Sequence, residues 1–411
     1  MNKNYVYLWC SQFCSTIGSW IYYSFLFAVI NQKFSATAIG WLVFSYTFPS
    51  IAVIPFIGVY IDRYDKKKIL VLSYLISTIF PVILLVKFNL FTIYTCSFLS
   101  SCLFAISFIA TRVIIRDMAV ESKALIKLYS FLAFGFIFST MLGGAIGGIL
   151  VDWVNIKRIL LLNVGLLLVS TISLLRLDVS LTCPNKNKKE SVFSNFLNGS
   201  IIYVREKNIV KQVSSFCIII FLGSIVNNFI ITYVHHVFPF HKGLFGMFLF
   251  GGGFGSCIGW YLTSKFLSMR ELSTLQNIFQ LLVPVFALAI LLLASAQNKA
   301  LAIFVFLLFN MVSMVMKNIT QSVVYLSTGG GYLGRIISIY NAQISLFSIF
   351  GALAGGLLID KINVIKIYKL TGGFALVISL LLIIFNMRFF LSKAKTVFSK
   401  NMCNYLSKFK S

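Results

Sequence analysis

Charged residues divide this sequence into long uncharged windows, and this division limits the possible folds more than any other feature. Twelve windows are apolar enough to cross a membrane, and they comprise residues 4–32, 34–61, 69–86, 88–111, 128–151, 159–175, 212–241, 243–264, 272–298, 300–316, 336–359 and 370–387. A helix needs about 20 residues to cross the hydrocarbon, within a range of about 17 to 25. All twelve windows meet that length, so we predict twelve transmembrane segments. A further uncharged window, residues 318–334, is rich in small polar residues and indicates a helix end plus a loop.

Lipid is the solvent that this composition requires. The chain is 59% hydrophobic and 11% charged, whereas soluble domains carry about 25% charged residues. Backbone groups that face lipid find no water, so a spanning segment must be a helix or a strand of a closed barrel. Because the windows are too long and too uniformly apolar for barrel strands, we predict an all-α membrane protein with twelve transmembrane helices.

A long polar interruption divides the windows into two sets of six. It contains Pro184 and a run of lysines, and it predicts an N-terminal bundle at residues 1–176, a cytoplasmic linker at 177–211, a C-terminal bundle at 212–390 and a basic cytoplasmic tail at 391–411. The linker residues Phe193, Phe196, Leu197, Ile201 and Val204 fall near helical spacing. A short helix on the membrane surface and a solvated linker both fit this pattern.

The two sets of windows also contain a repeated glycine-rich segment. Residues 143–152 align with residues 351–360 at a constant offset of 208 positions, and both copies end in Asp. Each copy closes a window that runs in the same direction. Two parallel six-helix bundles are therefore expected, an architecture of transporters that places the substrate site near the membrane midplane between the halves.

Basic residues are distributed unequally between the two sets of connections. With a cytoplasmic N-terminus, the cytoplasmic connections and termini hold 26 of the 35 basic residues and the opposite side holds 9. Cytoplasmic loops are enriched in Lys and Arg, so we predict a multi-pass inner-membrane protein with both termini in the cytoplasm. The same enrichment explains the net charge of +25, and no basic stretch interleaved with aromatic residues indicates a nucleic-acid partner.

Twelve helices, parallel halves and a charged hairpin after the second window together resemble the major facilitator superfamily. The family's hairpin signature is Gly-x-Leu-Ala-Asp-Arg-x-Gly-Arg-Lys. This chain matches it at Gly58, Asp62, Arg63 and Lys67, with Lys66 replacing Arg and Asp65 standing where most members have Gly. The resemblance implies the major facilitator fold and transport by alternating access.

Two shorter features resemble particular subgroups of that family. The Asp at position 65 and the start from Trp9 to Ser15, with Ser19, are similar to the macrolide-efflux type of drug exporter. The glycine run that ends the fifth window resembles the family's antiporter motif, with Gly144 where proline is usual. These resemblances imply drug export and proton antiport.

The charged hairpin carries a predicted gate. Asp62 and Arg112 end the second and fourth windows on the predicted cytoplasmic side. A carboxylate there can pair with an arginine and face the positive N-terminal end of the eleventh helix, near residues 335–338. The predicted gating residues are Gly58, Asp62, Arg63, Asp65, Lys66, Lys67 and Arg112. A purely topological role, with the lysines anchoring the loop inside, remains the alternative.

Two further sets of residues inside the windows carry predictions. Small residues let helices approach closely, and the predicted packing glycines are Gly143, Gly144, Gly147, Gly148, Gly351, Gly355 and Gly356. Polar side chains in a bilayer turn toward a cavity or a neighbouring helix. The predicted substrate-cavity residues are Gln12, Ser15, Thr16, Ser19, Trp20, Tyr23, Asn227, Asn228, Asn310 and Asn341. A hydrogen bond between helices is the alternative role for each of them.

Catalytic and metal-binding patterns are missing from the sequence. No nucleophile, base and orienting group stand at motif spacing, and no phosphate-binding loop occurs. We therefore predict no enzyme activity, no cofactor and no metal site, and we interpret His235, His236 and His241 as incidental. All ten acidic residues fall at window ends or in loops, so no proton relay is visible in mid-membrane. A proton gradient as the energy source is implied by the resemblance, with Asp62 as the candidate coupling residue.

Together these features predict a monomeric secondary active exporter in membrane lipid. Its expected cargo is an antibiotic-like amphipathic small molecule or modified peptide, including a self-made peptide antibiotic such as a microcin. Two alternatives stay open: an importer of a small nutrient with the same fold, and a membrane sensor or scaffold that transports nothing.

Overall fold

The computed structural model describes residues 3–53, 64–118, 122–178, 203–204, 206–239, 241–267, 270–328 and 333–381. Thirteen helices of eight residues or more lie in these ranges. They are α1 (Lys3–Lys33), α2 (Ala36–Ala52), α3 (Lys66–Val86), α4 (Leu90–Met118), α5 (Ser122–Leu150), α6 (Ile156–Leu175), α7 (Lys207–Asn228), α8 (Ile230–Val237), α9 (Leu244–Phe266), α10 (Leu272–Ser295), α11 (Lys299–Ser327), α12 (Leu333–Ile359) and α13 (Val364–Leu381).

Each predicted window contains a helix. Eleven of the described helices are long and apolar enough to cross a membrane, and α2 adds a shorter apolar helix of 17 residues. The seventh crossing is interrupted at Phe229, where α7 ends and the short helix α8 begins. The prediction of an all-α membrane protein is confirmed, and every described element is helical.

Several helices extend past the charges that were expected to end them. α4 continues beyond Arg112 to Met118, and α11 continues through Lys317 to Ser327. α13 begins at Val364, before the lysines that precede the predicted window. The end of α11 agrees with the helix end and loop predicted for residues 318–334. The predicted limits of α4 and α13 were wrong because a lysine or arginine can lay its alkyl stem along the helix and hold its charge at the interface.

Side-chain caps define where several helices begin. Asp65 accepts hydrogen bonds from the amides of Lys67 (2.9 Å) and Lys68 (3.3 Å) at the start of α3. Asn155, Asn298 and Asn363 accept from the first-turn amides of α6, α11 and α13 in the same way. A cap of this kind satisfies amides that no helical carbonyl can reach, so these short polar connections set the helix boundaries.

Alternation of the helices gives the molecule two faces. We call the face where α1 ends the distal face and the face where α1 begins the proximal face. The charge distribution predicts that the proximal face lies in the cytoplasm. We call α1–α6 the first half and α7–α13 the second half. The predicted domain limits remain a prediction, since residues 179–202 of the linker, with Phe193, Phe196, Leu197 and Ile201, lie outside the described residues.

Candidate functional site

A cavity of about 330 Å³ lies inside the first half. All six helices of that half contribute to its wall. The lining residues are Ser15, Ser19, Trp20, Tyr22, Tyr23, Tyr46, Thr47, Ser50, Tyr74, Ser77, Pro81, Ser100, Ser101, Phe104, Ala105, Ser107, Phe108, Phe136, Asn163 and Leu167. All the described lining residues therefore belong to the first half, and the predicted substrate site between the halves remains a prediction.

Aromatic rings and hydroxyl groups make up most of the lining. The Tyr23 hydroxyl lies 2.9 Å from the Ser101 hydroxyl, and Ser15 donates to the Tyr74 hydroxyl at 3.2 Å. The rings of Tyr23 and Tyr46 lie 5.0 Å apart. Among the described residues of the lining there is no Asp, Glu, Lys, Arg or His side chain. Such a surface suits an uncharged molecule that has aromatic faces and a few hydrogen-bonding groups.

Helix α1 brings four of the predicted cavity residues together. Ser15, Ser19, Trp20 and Tyr23 all line the cavity. Gln12 and Thr16 are buried but lie outside the lining, and their side-chain oxygens make no hydrogen bond with any described residue.

The four asparagines predicted from the second half do not line this cavity. Asn228 donates to the carbonyl and the hydroxyl of Ser224, and Asn310 donates to the carbonyl of Phe306 at 3.0 Å. Asn227 and Asn341 are exposed. Asn228 and Asn310 thus make hydrogen bonds within their own helices, and a role of all four in a surface between the halves remains a prediction.

Sequence reasoning missed all of the described lining from α2 to α6. On α4, Ser100, Phe104 and Phe108 follow one another at a spacing of four, which places them on one face of the helix, and this signal was available in the sequence. Asn163 on α6 was a second available signal, because a buried amide in a membrane helix needs a hydrogen-bond partner. Its Nδ2 donates to the carbonyl of Gly18 at 2.6 Å and so attaches α6 to α1 beside the cavity.

The proximal hairpin is described only in part. Gly58, Asp62 and Arg63 lie outside the described residues, so the predicted pairing of Asp62 with Arg112 stays a prediction. Asp65 caps α3, and the Lys67 ammonium donates to the carbonyls of Leu175 and Leu177 at the end of α6. A cation at the negative end of a helix is stabilising. These residues therefore join α3 to α6 within one half.

Arg112 links the proximal end of α4 to the cavity. Its guanidinium carbon lies 4.1 Å from the centre of the Phe108 ring, and Phe108 lines the cavity. A cation over an aromatic face is attractive. Lys66, the remaining described member of the predicted gate, is buried at 4% exposure and begins α3.

The predicted glycines of α5 and α12 divide into two faces. Gly143 and Gly147 face α1, where a Cβ built on Gly143 would lie 2.7 Å from the carbonyl oxygen of Ile17. Their counterparts Gly351 and Gly355 face α7. These four positions let α5 and α12 pack closely against the first helix of their own half.

The neighbouring glycines face the opposite half. A Cβ on Gly148 would lie 2.7 Å from the Cα of Gly246 on α9, and Gly144 lies nearest Leu249 of the same helix. A Cβ on Gly356 would lie 2.8 Å from the carbonyl oxygen of Ala36 on α2. The helix pairs α5–α9 and α2–α12 therefore bring the two halves into backbone contact near the distal face.

The twelve crossings in two halves, together with an uncharged internal cavity, define a polytopic membrane protein of the transporter class. The family model for the Major Facilitator Superfamily matches residues 8–346. The chain belongs to the major facilitator superfamily, and it has the fold of that family.

Similar proteins agree on this fold. The uncharacterized MFS-type transporter YfiS of Bacillus subtilis (strain 168) is 22% identical over 394 residues, which cover 93% of each chain. A variant of the nucleoside transporter NupG superposes with a TM-score of 0.77 at 11% identity, covering 92% of this chain and 98% of that one. The human organic anion transporter MFSD10 gives a TM-score of 0.63 at 12% identity, covering 92% and 99%. At these identities the solved structures show the fold alone.

Proposed function

We propose that this chain is a secondary active exporter that binds an amphipathic, antibiotic-like small molecule or modified peptide in the cavity of its first half. The cargo moves outward across the inner membrane by alternating access, with the proton gradient as the energy source and the protein acting as a monomer. The macrolide-efflux type of drug exporter is the subgroup whose start and hairpin this chain resembles.

The uncharged aromatic and hydroxyl lining of the cavity is the observation that supports this function. Tyr23, Tyr46 and Tyr74 offer rings for stacking and hydroxyls for hydrogen bonds. The volume of about 330 Å³ is near the lower end of the roughly 300–1,000 Å³ range of small-molecule pockets. A compact molecule fits such a cavity whole, whereas a larger antibiotic would place only one ring system in it.

Proton coupling has its best candidate at the proximal hairpin. The described carboxylates lie at helix ends or in connections, and none is among the cavity-lining residues. Asp62 follows the second crossing in the sequence and stays the proposed coupling residue. Proton antiport would be supported if Asp62→Asn abolished cargo movement while the protein still reached the membrane.

The function is tested by expressing the chain in a drug-hypersensitive bacterial host and measuring resistance to a panel of compounds. Tyr23→Phe should change which compounds are tolerated, because it removes the hydroxyl that contacts Ser101 in the cavity. Tyr368→Phe is the matched control, since its hydroxyl donates to the Val226 carbonyl at 2.9 Å away from the cavity. Equal profiles for both variants at equal membrane abundance would contradict a role for this cavity.

An importer of a small nutrient is the second candidate, and the same lining supports it. A nucleoside is an uncharged ring system with hydroxyl groups, and NupG, which has this fold, is named a nucleoside transporter. Cells that express an importer accumulate the labelled compound, whereas an exporter lowers its level. A sensor or scaffold changes neither level.

A further inference from the structure

Two aspartates at the distal face each make hydrogen bonds to the opposite half. Asp360, which follows α12, accepts hydrogen bonds from the amides of Ala36 (2.7 Å) and Thr37 (3.0 Å) and from the Thr37 hydroxyl at the start of α2. Asp152, which follows α5, accepts a hydrogen bond from the amide of Gly243 (2.7 Å) at the start of α9. Each carboxylate thus satisfies an amide at a helix start that belongs to the other bundle.

These two contacts are equivalent in the repeated segments. Asp152 and Asp360 are the last residues of the two copies, 208 positions apart. Four residues before each aspartate, Gly148 and Gly356 make the close approach to the same partner helix. Each copy therefore combines a glycine that admits the partner helix with a carboxylate that holds the end of that helix.

We infer that Asp152 and Asp360 are paired positioning residues of the transport cycle, which hold the distal ends of the two halves together and must release for that face to open. Charge-assisted hydrogen bonds to helix-start amides are about twice as strong as neutral ones. Their loss shifts the balance toward a state in which the distal face is open.

Neighbouring contacts at this face support a closed arrangement. Thr232 of α8 donates to the Asn31 side chain of α1, and the Asn31 amide lies 3.1 Å from His235. The Lys242 ammonium lies 5.3 Å from the centre of the Trp153 ring. None of these contacts involves a carboxylate, so all are expected to contribute less than the charge-assisted hydrogen bonds of the two aspartates.

The experiment measures access from outside to a cysteine placed between the halves. Ser50 lines the cavity and lies 3.5 Å from Ser345 of the second half. Ser50→Cys is introduced after the native cysteines are replaced by serine, and intact cells are treated with a membrane-impermeant thiol reagent. Gln297→Cys, an exposed position on the distal loop between α10 and α11, gives the reference rate.

Relative to that reference, Asp152→Ala or Asp360→Ala should each raise labelling of Ser50→Cys by about tenfold, and the double variant should raise it further. Glu271→Ala is the matched control, because Glu271 precedes α10 at the proximal face and makes no capping hydrogen bond. It should label like the parent. The assay uses no cargo, so its failure and a failure of the proposed export are distinguishable.

A second pair of variants keeps the inference testable if the alanine variants do not reach the membrane. Asp152→Asn and Asp360→Asn keep the shape and one acceptor oxygen but remove the charge, so the double variant should still label faster than the parent. Parent-level labelling in a double variant of normal abundance would overturn the inference. A rise with Glu271→Ala as large as that with Asp360→Ala would overturn it as well.

Discussion

At the scale of single residues, the hydrogen bonds of Asp360 predict how its contact at the distal face depends on pH. Burial alone would raise the pKa of its carboxyl, but hydrogen bonds from Thr37 and Ala36 outweigh burial and lower the pKa below its ordinary value of 3.8. A carboxylate with a lowered pKa contributes its stabilisation above the ordinary pKa and loses it as the pH falls through the lowered one. The Asp360 contact is therefore complete at neutral and mildly acidic pH.

Lowering the external pH from about 7.5 to about 5.5 should leave labelling of Ser50→Cys unchanged relative to Gln297→Cys, because Asp360 stays ionised throughout. The measurement is made in a His235→Gln background. His235 contacts Asn31 of the first half at the same face, and a histidine can titrate in this range. A labelling increase in that background would show that a proton releases the distal face at mild pH.

Single residues also show where sequence reasoning reached its limit. The resemblance marks Asp65 and Lys67 as motif residues. Only the fold shows that Asp65 caps α3 and that Lys67 binds the end of α6. Gly243 has a φ of 72°, and its amide donates to Asp152. The left-handed backbone explains why glycine stands there. No local sequence pattern predicts that Gly243 binds Asp152, which lies 91 residues away.

At the scale of helices, adjacent glycines of α5 have separable roles. Gly147→Leu should lower membrane abundance, because its side chain would collide with Ser24 and the backbone of Ile21 within the first half, and overpacking costs about 1–3 kcal/mol. Gly148→Leu should leave abundance nearer normal and raise outside labelling of Ser50→Cys, because it pushes α9 of the other half away. Immunoblots and labelling rates measure the two effects.

Gly165→Ala on α6 is the control for these changes, since nothing lies within 4 Å of the Cβ it would add. It should match the parent in both measurements. Equal loss of abundance in the Gly147 and Gly148 variants would contradict the assignment of two faces to α5.

Helix positions could be predicted well, and helix ends could not. Uncharged windows placed all twelve crossings because lipid tolerates few charges. The end of α4 was misplaced at Arg112, since a long basic side chain can remain inside a helix while its charge reaches water. The cavity lining was predicted on α1 alone, because which faces of six helices converge depends on their packing and not on any one window.

At the scale of the whole molecule, the basic residues predict which face lies inside the cell. In the cysteine-free parent, Tyr64→Cys at the proximal face should react with an impermeant reagent only after the cells are opened, and Gln297→Cys should react in intact cells. Both positions are exposed. Labelling of Tyr64→Cys in intact cells would reverse the predicted orientation and place the charged hairpin outside.

The described residues that line the cavity all belong to helices α1 to α6. A ligand shifts a conformational equilibrium only through unequal affinity for the two states. A cargo that contacts only the first half keeps the same contacts when the second half moves away. Its binding alone therefore does not shift the equilibrium between the two conformations. The free energy that reorients such a transporter must then come from a change in the contacts between the two halves.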